Sequence, residues 1–117
     1  MEILRDKMKR LNFSKEYLKK LLRGKKLMTI RRGKRKFEIG EEVEVYCGGK
    51  KLGKIKITKV QIKKFSEINS EDIKKDGFRS KRKLKKALRK HYKNVKASDL
   101  FTLIEFEWIE RKENGSV

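Results

Sequence analysis

The sequence predicts an α+β fold: a small β-barrel of about five strands with two or three flanking helices. Three observations carry this. Across residues 41–47, Val43, Val45 and Cys47 alternate with Glu42, Glu44 and Tyr46, the period of a half-buried strand. In the next strand Ile55 and Ile57 share a face, but Val60 and Ile62 are out of phase with them. A one-residue slip of this kind predicts a β-bulge near Thr58 and Lys59, and so a sharply curved sheet. Finally, short Gly turns connect the strands.

Taken in order, the first dozen residues mix charge with Ile3, Leu4, Met8 and Leu11, which predicts a short helix and then an edge strand reaching Phe13. Ser14 is placed to cap a helix over residues 15–23, on which Tyr17, Leu18, Leu21 and Leu22 share a face. Gly24 stands where the residue after a helix is most often a left-handed glycine. Residues 27–31 read as a strand, residues 33–36 as a basic turn, residues 41–47 as a strand, and Gly48-Gly49-Lys50-Lys51 as the turn before the strand over residues 52–62. Asn69 or Ser70 caps a short helix through about Lys75, with Glu71 and Asp72 well placed against the helix dipole. Asp76-Gly77-Phe78 turns the chain, and Ser80 caps a basic helix to about His91 bearing a narrow stripe of Leu84, Ala87 and Leu88. Residues 101–109 form the last strand. There Phe101 and Leu103 face one way and Ile104, Phe106 and Trp108 the other, as in a central strand covered on both sides. At 117 residues the expectation is one domain, 1–117, with its core over about 11–109 and a frayed tail over 111–117.

Charge narrows the function. The chain carries 36 Lys and Arg against 16 Asp and Glu, a formal +20. Folding does not require such self-repulsion, so a polyanionic partner is implied, RNA ahead of DNA and with no membrane partner. Two runs concentrate the charge: residues 19–36 and residues 79–96 each hold ten cations and no acid. The single cysteine, Cys47, excludes an internal disulfide, and with the single histidine, His91, it excludes a Cys/His zinc site within one chain. Neither a metal nor a cofactor is expected. Without a long apolar run or a signal-peptide core, the expected location is cytoplasmic. The two helices around Gly77 also mimic a helix-turn-helix, but the first is short and the surrounding strands already account for the core.

The most informative stretch is residues 24–31, a G-x-K-x-x-T-x-R pattern of Gly24, Lys26, Thr29 and Arg31. A lysine, a hydroxyl and an arginine this close can converge on one anion. Arg31 is either a bidentate oxyanion clamp or a structural salt bridge to Glu38 or Asp76. Lys26 could act as a base on Thr29 only if burial or neighbouring cations lowered its pKa; otherwise the two are a surface charge and a strand residue. Tyr46, Tyr92 and Phe78 are candidates to stack on bases.

These residues, followed by Phe37 to Val43, residues 53–57, Asp76-Gly77-Phe78-Arg79-Ser80 with Leu84 and Leu88, Tyr92, and Leu103-Ile104-Glu105-Phe106, resemble an ASCH domain in order and spacing from about Leu11 to Trp108. The resemblance implies a PUA-like β-barrel and a cleft lined by the G-x-K-x-x-T-x-R turn, usually proposed to bind RNA. Some small members hydrolyse N4-acetylcytidine with a lysine, a threonine and a glutamate, and others are described as ribonucleases. The lysine and threonine correspond to Lys26 and Thr29. The glutamate falls at Asp76, one methylene shorter, which puts the hydrolase in doubt.

The reading is therefore an RNA-binding ASCH domain protein whose contacts are Gly24, Lys25, Lys26, Thr29, Arg31, Arg32, Lys34, Arg35, Phe78, Arg79, Arg82 and Lys86. The alternatives are a hydrolase, either an N4-acetylcytidine amidohydrolase or a ribonuclease, with Lys26, Thr29 and Asp76 as its catalytic set, and a basic structural accessory of a ribonucleoprotein.

Overall fold

A computed structural model describes residues 8–112. A five-stranded, strongly curled half-barrel carries three helices. The strands are β1 (Arg10–Phe13), β2 (Met28–Arg32), β3 (Glu42–Cys47), β4 (Lys50–Lys64) and β5 (Leu100–Arg111); the helices are α1 (Leu18–Leu22), α2 (Ser70–Lys75) and α3 (Lys81–His91). The sheet order is β1-β3-β4-β5-β2, with β1 parallel to β3 and every other pair antiparallel. The short helix expected before β1 lies outside the described residues, apart from Met8, which is in coil.

The expected bulge is present. The β4–β5 register shifts between Ile57 and Lys59, and again between Lys54 and Ile55, and β3–β4 shifts between Val45 and Tyr46. Each shift adds bend and twist, which is how 15-residue β4 wraps around the core instead of lying flat. The central strand β5 is covered on both faces. Ile104 and Phe106 pack with Val43, Val45, Ile55, Ile57 and Leu21 inside the curl. Phe101 and Leu103 pack with Met28, Ile30, Ile73, Leu84 and Leu88 on the outside, under α2 and α3.

Three elements differ from the sequence reading. Strand β4 begins at Lys50, which pairs with Cys47, and runs on to Lys64, so the turn before it is Gly48-Gly49 alone. The Ser14 hydroxyl caps nothing: the chain enters α1 through a 3-10 turn, Lys15–Tyr17, and it is the Ser14 carbonyl that accepts, from the Tyr17 N–H at 2.9 Å and the Cys47 thiol at 3.4 Å. Strand β5 also runs beyond residue 109, because Arg111 pairs with Gly53 and the Lys112 N–H reaches the Leu52 carbonyl at 2.9 Å. Gly53 permits this approach, since a Cβ there would stand 2.1 Å from the Glu110 carbonyl oxygen.

The other caps form as expected. Asn69 accepts from the Asp72 N–H at 2.9 Å and Ser80 from the Lys83 N–H at 3.2 Å. Gly24, at φ +71°, closes α1 with two bonds, Gly24 N–H to the Leu21 carbonyl and Lys25 N–H to the Lys20 carbonyl. No described helix is long and apolar enough to cross a membrane.

Candidate nucleic-acid interface

The half-barrel leaves a seam between its two edge strands, β1 and β2. Thr29 and Arg31 lie opposite Ile104 and Thr102 in the β2–β5 register, so they point into the curl at this seam. Arg31 spans it: its Nη2 donates to the Asn12 carbonyl of β1 at 3.0 Å, and its Nε donates to Thr29 Oγ1 at 2.7 Å. The guanidinium also lies 4.9 Å from the Phe13 ring centre.

The Gly24 turn delivers Lys26 to the same place. Three bonds tie this turn to the end of α2: Leu27 N–H to the Lys75 carbonyl at 2.8 Å, Lys20 Nζ to the Gly77 carbonyl at 2.7 Å, and Lys26 Nζ to the Asp76 carbonyl at 3.1 Å. Lys26 Nζ also meets Asp76 Oδ1 at 2.5 Å, and both side chains are 4% exposed. Burial dominates their electrostatics. It pulls the Lys26 ammonium below its ordinary range and pushes the Asp76 carboxyl above its own, with the mutual attraction opposing both shifts. Burial likewise raises the Tyr17 phenol to about 12.

Together these residues surround a cavity of about 150 Å³ whose floor is Lys26, Thr29, Arg31 and Asp76 and whose walls are Asn12, Phe13, Tyr17, Phe78, His91, Tyr92 and the apolar stripe of α3. Lys26, Thr29 and Asp76 thus converge, as the sequence led one to expect. Arg31 forms neither anticipated salt bridge: among the described residues its partners are a hydroxyl and a carbonyl rather than Glu38 or Asp76.

The remaining candidates are distributed around this cavity. Gly24, Lys25 and Arg79 line an adjoining groove whose shared wall is Phe78. Arg82 and Lys86 line the outer face of α3. Arg32 is tied to Asp99 at 2.5 Å and to the Lys93 and Asn94 carbonyls, and so braces the 93–99 loop, while Arg35 donates to the Arg32 carbonyl and Lys34 is exposed. Tyr46 lies outside the cavity, beneath the Arg10 guanidinium at 4.1 Å. One side of Phe78 is occupied by Lys20 Nζ, 4.4 Å from the ring centre, and Tyr17 packs edge-on to it. Phe78 is therefore a partition more than a stacking platform. Tyr92 is half-buried on the opposite wall.

Sequence reasoning missed Asn12 and Tyr17 as cavity residues and Lys20 as a border of the adjoining groove. Asn12 enters through its backbone carbonyl, which no side-chain pattern reports. Tyr17 reads as a core aromatic because it shares a helical face with Leu21, and only its polar tip hints at a wet end.

A model of the ASCH domain matches residues 7–110. A crystal structure of an Enterococcus faecalis protein superposes with a TM-score of 0.68 at 16% identity, covering 96% of this chain and 88% of that one. The ASCH domain of Lactobacillus crispatus gives 0.66 at 19% identity, covering 83% and 79% respectively. An ASCH protein of Zymomonas mobilis gives 0.59 at 14% identity, covering 85% and 67%. At these identities the likeness is one of fold. No curated protein matches the sequence significantly.

Proposed function

We propose that this chain, which belongs to the ASCH domain family, binds RNA, seating one unpaired nucleotide in the cavity at the barrel seam. The observation that carries this reading is Arg31. Lys26 and Asp76 cancel one another, whereas Arg31 faces the cavity with no carboxylate within ion-pairing distance among the described residues. A mostly desolvated guanidinium left in this state favours an oxyanion or a base edge as its partner. The cavity is comparable in volume to one that takes up a single aromatic ring, about 150 Å³. Aromatic side chains line it, as they line the base sites of many RNA-binding modules.

The test is a titration of labelled single-stranded RNA at low ionic strength. Arg31→Lys keeps the charge but loses the planar fork, and it is expected to weaken binding by about tenfold, the size of one charge-assisted hydrogen bond. Unchanged affinity would contradict the assignment of Arg31 as the clamp.

A second reading, amide hydrolysis on an acylated cytosine, is favoured by one observation: burial moves Lys26 toward the neutral form a base requires. Against it, the Lys26 ammonium bonds to Asp76 and the Thr29 hydroxyl to Arg31, so the base and the nucleophile are not paired with each other. Incubation with N4-acetylcytidine is expected to give no turnover that Lys26→Ala removes; such turnover would replace the binding reading with the catalytic one.

A further inference from the structure

Beyond Phe78 lies a second, larger concavity. The Gly24 turn, α2 and the start of α3 enclose about 810 Å³, bordered by Lys20, Lys25, Lys74, Lys75, Arg79 and Lys83, with Glu71 as the one acid among the lining residues. Lys25, Lys74, Arg79 and Lys83 are exposed, and none of these four forms an ion pair among the described residues. The groove is not a separate feature of the surface. It shares Phe78 with the seam cavity, and Lys20 and Gly77 on its border also hold the Lys26–Asp76 corner in place. Gly77 is set at φ +91°, where a Cβ would come within 3.3 Å of the Lys25 carbonyl, so the turn that shapes the cavity also brings Lys25 up to the groove.

Resting on the RNA-binding reading above, we infer that this groove holds the sugar–phosphate backbone of single-stranded RNA whose next nucleotide turns past Phe78 into the seam cavity. The argument is one of size and charge. The cavity has room for one ring and one resident positive charge. The groove is several times larger and carries six cations against one acid, the composition of a backbone track rather than a base pocket. Phe78, flanked by the Lys20 ammonium, divides the two. A strand crossing it must separate a base from its neighbours, which a paired base in a duplex does only at the cost of unstacking and unpairing. The site therefore accepts an unpaired strand and discriminates against a duplex.

The experiment measures affinity for fluorescein-labelled oligouridylate across a salt series, using the wild-type chain, the double variant Lys25→Ala/Arg79→Ala, and a control, Lys56→Ala/Lys59→Ala, that removes equal charge from exposed positions on β4. Each phosphate contact on a single strand contributes about 0.7 to the slope of log affinity against log salt, so the groove variant is expected to reduce the slope by about 1.4 while the control changes it little. A blunt RNA duplex is expected to bind at least tenfold more weakly than the single strand. Lys74→Ala/Lys83→Ala provides a second groove variant should the first melt early. Equal slope changes in the groove and control variants would overturn the inference while leaving the seam cavity's role intact, whereas equal affinity for duplex and single strand would overturn both the groove and the unpaired nucleotide in the cavity. Failure of the wild-type chain to bind any RNA would remove both.

Discussion

Lys26 and Asp76 are in contact where neither charge is well solvated. Removing one partner from such a pair strands the other, which typically costs about 3–5 kcal/mol, whereas replacing both with apolar groups is often neutral or stabilising. Asp76→Ala is therefore expected to lower stability by that amount in urea denaturation, and Lys26→Met/Asp76→Leu to recover most or all of it. A double variant as unstable as the single would indicate that the pair is net stabilising. The pH dependence follows from the same burial. Asp76 is held above the ordinary carboxyl value of 3.8, so its contribution to stability is present below that value and is lost as pH rises through its folded value. Lys26 is held below 10.5, so its contribution is present above that value and is lost as pH falls through its folded value. The stability of the wild type relative to the double variant is thus expected to be lowest near neutrality and to rise toward both pH limits. A maximum near neutrality would contradict the burial argument.

Among the elements, glycines separate what the sequence reveals from what only the fold reveals. Gly24 follows an apolar helical face and ends it, so its left-handed conformation was legible in advance. A Cβ there meets nothing within 4 Å, and Gly24→Ala is expected to cost only backbone strain, about 1–2 kcal/mol. Gly53 sits inside a strand pattern and gives no such signal. Its role comes from β5, whose backbone closes over it, so Gly53→Ala is expected to destabilise more than Gly24→Ala. The reverse order in chemical denaturation would contradict the close approach. The bulge near Lys59 was legible for a physical reason: a strand with one buried face cannot slip by one residue unless an extra residue is inserted. The seam was not, because β1 and β2 meet through Arg31 and a backbone carbonyl, a contact without periodicity. Lys26, Thr29 and Asp76 could be brought together only through the family resemblance, since nothing local links Asp76 to a residue 50 positions earlier. Ser14 shows the opposite failure, a sound local capping signal overridden by a 3-10 turn in which the Tyr17 N–H is taken by the Ser14 carbonyl rather than by its hydroxyl.

At the scale of the whole molecule, a formal charge of +20 by itself would attract any polyanion. If six phosphates on a single strand were engaged, log affinity would fall with log salt at a slope near −4. Such a slope reports how many phosphates are held, but it does not locate the base. What distinguishes a seam-centred RNA site from a merely basic surface is whether binding depends on groups that contribute nothing to net charge. Lys26→Met/Asp76→Leu removes one positive and one negative charge, leaving the total and both basic runs almost unaltered. The decisive measurement is its affinity for single-stranded RNA beside that of the wild type at one fixed salt concentration. A loss of tenfold or more with an unchanged salt slope is the predicted result; affinity equal to that of the wild type would place the RNA elsewhere on the basic surface.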